Sequence, residues 1–218
     1  MGRYVVVDLE MCRVPKRLRS KKYRWGLETI QIGAVLLDDT MEVVDRFMTY
    51  VAPQFGFVDD YIEDLTGIRA KDLIEAPTMQ AAMEQFVAWV PKGATLVAWS
   101  NSDALQFRHE MVGKDIVNER MEALLENWVD CQQIFGERLH TARIYRLSEA
   151  LVMADIDFDE RIHDGLVDAY NTALLYAKME REPELRLNTY YDRIGEAAEG
   201  LCMSLAGMFS GIVLPECA

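Results

Sequence analysis

Tyr4-Val5-Val6-Val7-Asp8-Leu9-Glu10 sets the reading of the whole chain. Residues 4–8 are a short β-branched run closing on a carboxylate, the pattern of a buried strand whose C-terminal end opens onto a site. Asp8 and Glu10 stand two apart, and in extended backbone such positions face the same way. Two carboxylates on one face beside an apolar run repel each other, a cost relieved by protonation or by a bridging cation. Hard divalent ions such as Mg²⁺ or Mn²⁺ suit such oxygen ligands. The alternative is a pair of exposed strand-end residues.

Working outward, residues 28–37 and 41–51 read as the second and third strands of a meander turning at Asp38-Asp39. Short helices are expected over 60–66 and 70–74, around Thr66-Gly67. Met79, Met83, Phe86, Val87 and Val90 recur at helical spacing over 78–90, and Pro91-Lys92-Gly93 ends that helix. Residues 94–99 form another buried strand, followed by Ser100-Asn101-Ser102-Asp103. Ligands gather beyond strand tips in open α/β sheets, although an Asp there also serves as a helix cap. A helix over 104–112, a short strand over 127–132 and a helix over 146–153 follow. After a loop over 155–164, Asp164-Gly165 opens a long helix over 165–180. Asp168 falls near its first turn, where the helix dipole favours a carboxylate. His163 stays on the preceding loop, where it is either functional or simply solvated. A last helical region over about 184–210 includes Leu201, Met203, Leu205, Met208 and Phe209, which make it an apolar C-terminal helix. The expected organisation is one domain over 1–180 and a helical extension over 181–218, docked on that domain or on a second subunit.

Composition narrows the function classes. Half of the 218 residues are hydrophobic, and no apolar run reaches 18, so no membrane span is expected. The N-terminal apolar run is too short for a signal peptide. Cys12, Cys131, Cys202 and Cys217 are scattered without a C-x-x-C pair, against a disulfide framework or zinc site, and the expected location is the cytoplasm. The net charge of −13 argues against a nucleic-acid binder. Two features offset it: metal-bound carboxylates are locally neutralised, and Arg13, Lys16, Arg17, Arg19, Lys21, Lys22 and Arg24 crowd one stretch without an acid. That stretch leaves the first strand beside Asp8 and Glu10, and either grips substrate phosphates or is a solvated loop. Asp155, Asp157 and Asp159 imitate a calcium loop, but Glu160 and Leu166 stand where Gly and Glu are required.

D-x-E on a first strand, a strand-tip Asp, and H-x4-D opening a late helix appear here in that order. The set resembles the DEDDh 3′→5′ exonucleases. "VVVDLEMC" looks like their first motif, "ETIQIGAVLLD" their second strand, and "YIEDLTGI" a characteristic segment after the third strand. "AWSNSDALQF" and "RIHDGLVDAYNTALL" resemble the second and third motifs. The Leu-Thr-Gly-Ile segment and the spacing are most similar to the histone-mRNA 3′ exonuclease branch and its bacterial relatives. The resemblance covers roughly residues 4–180. It implies an RNase H-like α/β fold, a mixed central sheet flanked by helices. It also implies two divalent ions, Mg²⁺ or Mn²⁺, held by Asp8, Glu10, Asp103 and Asp168, with Asp8 bridging and His163 as general base. The catalytic set is then Asp8, Glu10, Asp103, His163 and Asp168, and the products are 5′-mononucleotides. Met11, Thr66 and the basic stretch become candidate substrate contacts. The implied partner is nucleic acid, RNA before DNA, and the protein a monomer or homodimer. Alternatives are a DNA-directed proofreading or repair exonuclease, and a non-catalytic binding module on the same fold. Two positions depart from the family: Gln31 stands where Glu is common, expected to matter little on strand two, and Asn101-Ser102 precede Asp103 where Gly, Trp or Phe is usual.

Overall fold

The structure, a computed structural model, describes residues 3–159, 161, 163–188 and 190. Five strands form one mixed sheet in the order β3-β2-β1-β4-β5. β1 (Tyr4–Arg13), β2 (Leu27–Leu37) and β3 (Val43–Tyr50) make the antiparallel meander. β4 (Thr95–Ala98) runs parallel to β1, and β5 (Trp128–Asp130) parallel to β4.

Alternation along β1 divides the core. Val5, Val7 and Leu9 face one layer, formed by α2 (Met79–Trp89), α3 (Ser102–Gly113) and α4 (Glu119–Glu126). Val6 faces the other, formed by α5 (Cys131–Arg138), α6 (Leu147–Met153) and α7 (Gly165–Arg181). Phe86 and Phe107 are fully buried in the first layer, each contributing roughly 1.5–3 kcal/mol by leaving water. Beneath α1 (Asp60–Thr66) and a 3-10 turn over Ala70–Leu73, Cys12 and Ile30 belong to a smaller cluster. That extra burial carries β1 beyond Asp8, where the sequence reading ended it, to Arg13.

Side-chain caps begin the helices where chemistry favours them. Asp59, Thr78, Asn118, Asp130 and Asp164 each accept a backbone N–H of the turn they precede. α4 and α5 were not anticipated, and each has only eight residues. The helix expected from about 184 does not begin there: residues 184–188 are non-helical, and Asn188 N–H donates to the Met153 carbonyl. Pro183 disfavours helical backbone at Glu182, where α7 stops. Leu185 and Leu187 instead pack on the α7-side core. The rest of the expected apolar helix, with Met203 and Met208, lies outside the described residues.

A buried ionic cluster fixes α3 against the sheet. Lys114 Nζ lies 2.6 Å from Glu28 and 2.8 Å from Glu110, both carboxylates being fully buried. Glu28 also accepts the backbone N–H groups of Gln54, Phe55 and Gly56, and Glu110 accepts that of Thr29. No helix among the described residues is long and apolar enough to cross a membrane.

Candidate active site

The site arises where β1 outruns β4. β4 pairs with β1 only at Tyr4, Val5 and Val6, leaving the next stretch of that edge without a strand. Asp103, in the first turn of α3, fills the gap by accepting the Leu9 N–H at 3.1 Å. An unpaired backbone donor at a buried edge requires such a partner. Asp103 is 6 % exposed and is not the helix cap, since Asn101 holds that position. Asp8 and Glu10 flank Leu9 on the α7 face, opposite Gly33 and Gln31 of β2.

The start of α7 crosses β2 at those two residues. A Cβ on Gly33 would lie 2.2 Å from the Gly165 carbonyl carbon and from the Leu166 nitrogen, so only glycine permits the approach. Gln31 Oε1 accepts the Gly165 N–H at 2.8 Å. Gln31 is buried and ties the helix start to the sheet beside the acids through an oxygen that a Glu there would also present, a contact the sequence reading did not foresee. Asp164 caps the helix through Leu166 and Val167 N–H. His163 adopts a left-handed backbone, φ 66°, and its N–H donates to Asp168 Oδ2 at 2.9 Å. Glu10, His163 and Asp168 each bring a ligand atom within 4.8 Å of the others. Fully buried Asn171, one turn beyond Asp168, holds the loop bearing His163 by exchanging hydrogen bonds with the Asp159 backbone.

Burial raises all four carboxylates, and repulsion from the other site acids adds to it at Asp8, Glu10 and Asp103. Asp8 stands well above the usual range, through burial first and then the charges of Asp103, Glu10, Asp168 and Asp164. Burial, followed by Asp168 and Asp103, lifts Glu10 to about 8. Asp103 reaches about 7, through burial, despite the Leu9 N–H bond that opposes it. Asp168 is raised by burial against the stabilising His163 N–H. Four converging carboxylates with an imidazole at the rim are a hard donor set, and the repulsion among them is what a divalent cation removes. The residues present thus fit a divalent-metal site.

Asp8, Glu10 and Asp168 line a cleft of about 830 Å³ whose wall also includes Trp99, Gln132, Tyr145 and Arg146. Sequence reasoning missed this wall, which comes from the end of β4, from α5 and from the segment leading into α6. Asn171 was legible as the residue one turn after Asp168, and Gln31 as a polar side chain in an apolar strand. Met11 follows an irregularity in the β1–β2 register and is half-buried against the α2–α3 core. Within the basic stretch, the Arg13 guanidinium lies 4.3 Å from the Tyr61 ring, Arg19 donates to the Val14 carbonyl, Lys22 pairs with Asp115, and Arg24 stacks over Trp25. Lys16, Arg17 and Lys21 are exposed. Thr66 donates its hydroxyl to the Ile62 carbonyl and accepts the Ile68 N–H, closing the end of α1.

Comparison with known proteins places the sequence and the fold. The family described as Exonuclease (RNase_T) matches residues 5–176. Human ERI1 exoribonuclease 2 is 27 % identical over 186 residues, covering 74 % of this chain and 26 % of its own length. Human 3′-5′ exoribonuclease 1 is 25 % identical over 175 residues, covering 74 % of this chain and 49 % of its own. The chain therefore spans about a quarter to a half of the length of these relatives. Among solved structures, the nuclease domain of 3′hExo, a DEDDh family member bound to rAMP, superposes with a TM-score of 0.68 at 20 % identity, covering 85 % of this chain and 96 % of that domain.

Proposed function

The chain belongs to the RNase_T exonuclease family, and we propose that it is a two-metal 3′→5′ exonuclease releasing 5′-mononucleotides from single-stranded or 3′-overhang RNA. The observation that carries this is the convergence of Asp8, Glu10, Asp103 and Asp168 from three separate elements, with His163 beside them at the mouth of the cleft. Asp8, Glu10, Asp103 and Asp168 would hold the metal, whose chemistry is to activate water and neutralise charge at phosphorus and at the leaving oxygen; Mg²⁺ or Mn²⁺ fits this oxygen-rich set. Asp8, with Asp103, Glu10, Asp168 and Asp164 as its charged neighbours, would be among the residues that hold the metal. His163 would take the proton of the attacking water, a role that a loop imidazole at the cleft can fill without disturbing the carboxylates.

RNA is favoured because the curated relatives described above are named as exoribonucleases. The exposed Lys16, Arg17 and Lys21 would meet phosphates upstream of the scissile bond, and Met11 the nucleotide beside Glu10. Buried, free Cys12 and Cys131 fit a reducing cytoplasm. Analysis of a digest supplied with Mg²⁺ or Mn²⁺ checks the reaction class. Mononucleotides bearing a 5′-phosphate are expected; dinucleotides or 3′-phosphates would overturn it.

A further inference from the structure

Arg146 lines the same cleft as Asp8, Glu10, His163 and Asp168, and among the described residues it is the only Lys or Arg that does. Its side chain is exposed and makes no hydrogen bond, ion pair or ring contact with another described residue. Glu149, the acid in the first turn of α6, pairs instead with Arg143, whose guanidinium lies 4.7 Å from the Tyr145 ring. Arg146 holds the N-cap position of α6 without a side-chain cap hydrogen bond. Ser, Thr, Asp or Asn would satisfy a backbone donor there, and a cation opposes the positive end of the helix dipole. Local structure therefore gives no reason for an arginine at this position. The backbone that carries it is fixed. Gln132 Nε2 donates to the Tyr145 carbonyl at 2.7 Å, and the Gln132 N–H donates to the Trp99 carbonyl at 2.8 Å. The Tyr145 ring is buried edge-on against Phe135, with centroids 5.4 Å apart.

A held backbone thus presents an unpaired guanidinium to a cleft lined by carboxylates, and phosphodiester hydrolysis supplies the partner it lacks. The phosphate to be cut must lie among the acids and beside His163, in the cleft that Arg146 lines. There the water oxygen bonds to phosphorus as the bond from phosphorus to the 3′-oxygen breaks. The water proton passes to His163, and the leaving oxygen takes a proton from solvent. Negative charge at the transition state rests on the equatorial oxygens of phosphorus. Carboxylates only repel that charge, whereas a guanidinium can donate two parallel N–H groups to two such oxygens. We propose that Arg146 is a further catalytic residue, donating its guanidinium N–H groups to the non-bridging oxygens of the scissile phosphate. The inference rests on the exonuclease reading. It places Arg146 on the phosphate being cut and leaves the upstream phosphates to the basic stretch after β1.

Single-turnover cleavage of two RNAs by the full chain in Mg²⁺ tests it. One is a uridine hexamer, and the other is the dinucleotide UpU, whose only phosphate is the scissile one. Arg146→Gln should slow both by the same factor, about 10²-fold, the usual cost of a lost transition-state donor. Arg146→Lys keeps the charge without the planar fork and should retain about a tenth of the native rate. Free guanidinium, on the order of tens of millimolar, should speed Arg146→Ala about tenfold and leave the native chain unaffected. The Mg²⁺-induced rise in Tm should be the same in all three variants, because Arg146 holds no metal. Variant rates within about threefold of native on both RNAs would overturn the proposal. So would a loss confined to the hexamer, which would put Arg146 on an upstream phosphate, or a loss in Arg146→Ala that guanidinium does not relieve. A native chain that cuts both RNAs, with Arg146→Gln cutting them equally well, sinks the arginine alone. A native chain that cuts neither sinks the exonuclease reading itself.

Discussion

Removing one site carboxylate should stabilise the metal-free protein, and Glu10→Gln gives this idea its sharpest form. Glu10 is 7 % exposed, and its carboxyl is lifted from 4.5 to about 8. Between those two values the folded protein holds a proton that the unfolded chain releases, so native stability falls as pH rises through that interval. At about 1.36 kcal/mol for each factor of ten, the ceiling on this cost is about 5 kcal/mol. Asp8, Asp103 and Asp168 readjust their own ionisation when the Glu10 charge is gone, so roughly 1–3 kcal/mol is the expected gain at pH 8. For a chain of this size that raises Tm by about 3–10 °C. The assay is thermal unfolding in EDTA at pH 5 and pH 8, repeated with Mg²⁺. Glu10→Gln should melt above the native chain at pH 8 in EDTA, the gap should shrink to under about 1 kcal/mol at pH 5, and Mg²⁺ should close or reverse it. A variant no more stable than the native chain at pH 8 in EDTA, or equally stabilised at both pH values, would refute the picture of buried, mutually repelling carboxylates.

His163→Ala should lower kcat by roughly 10²–10⁴-fold while leaving metal-free stability little changed, and a near-native rate would remove His163 from proton transfer. Gln31→Met leaves the buried Gly165 N–H without its acceptor, at about 1–3 kcal/mol, and displaces the start of α7 that carries Asp168. Its kcat should therefore fall more than its KM rises, and an unaltered kcat would show that α7 needs no such anchor. Lys114→Met strands Glu28 and Glu110 in the core, at about 3–5 kcal/mol, so Tm should drop by about 6–20 °C. A change within a degree or two would mean that the cluster is dispensable.

Much of this site could be read from the chain because its logic is local. The i, i+2 spacing of Asp8 and Glu10 and the helix opened by Asp164 and Gly165 each depend on a few neighbouring residues. Asp103 was placed by its strand-tip position, yet its partner, the Leu9 N–H, follows only from the sheet order that ends β4 beside Val6. The same holds for Gln31 and Gly33, ordinary members of an apolar strand until α7 crosses them more than 130 residues later. α4 and α5 escaped because eight residues give barely two turns of periodicity, and because α5 starts directly after the last residue of β5 with no turn between. The cleft wall at Tyr145 and Arg146 comes from a segment with neither helical nor strand pattern before α6, so only the packed structure brings it into the same cleft as the acids.

A time course on 5′-labelled RNA with a 3′ overhang, beside matched DNA, in Mg²⁺, Mn²⁺ or EDTA and with Asp8→Ala in parallel, addresses the central claim most directly. The account predicts a ladder shortening from the 3′ end with either metal, faster on RNA than on DNA, and absent both in EDTA and in Asp8→Ala. Intact RNA and DNA under every condition, or a ladder that persists in EDTA or in Asp8→Ala, would contradict it.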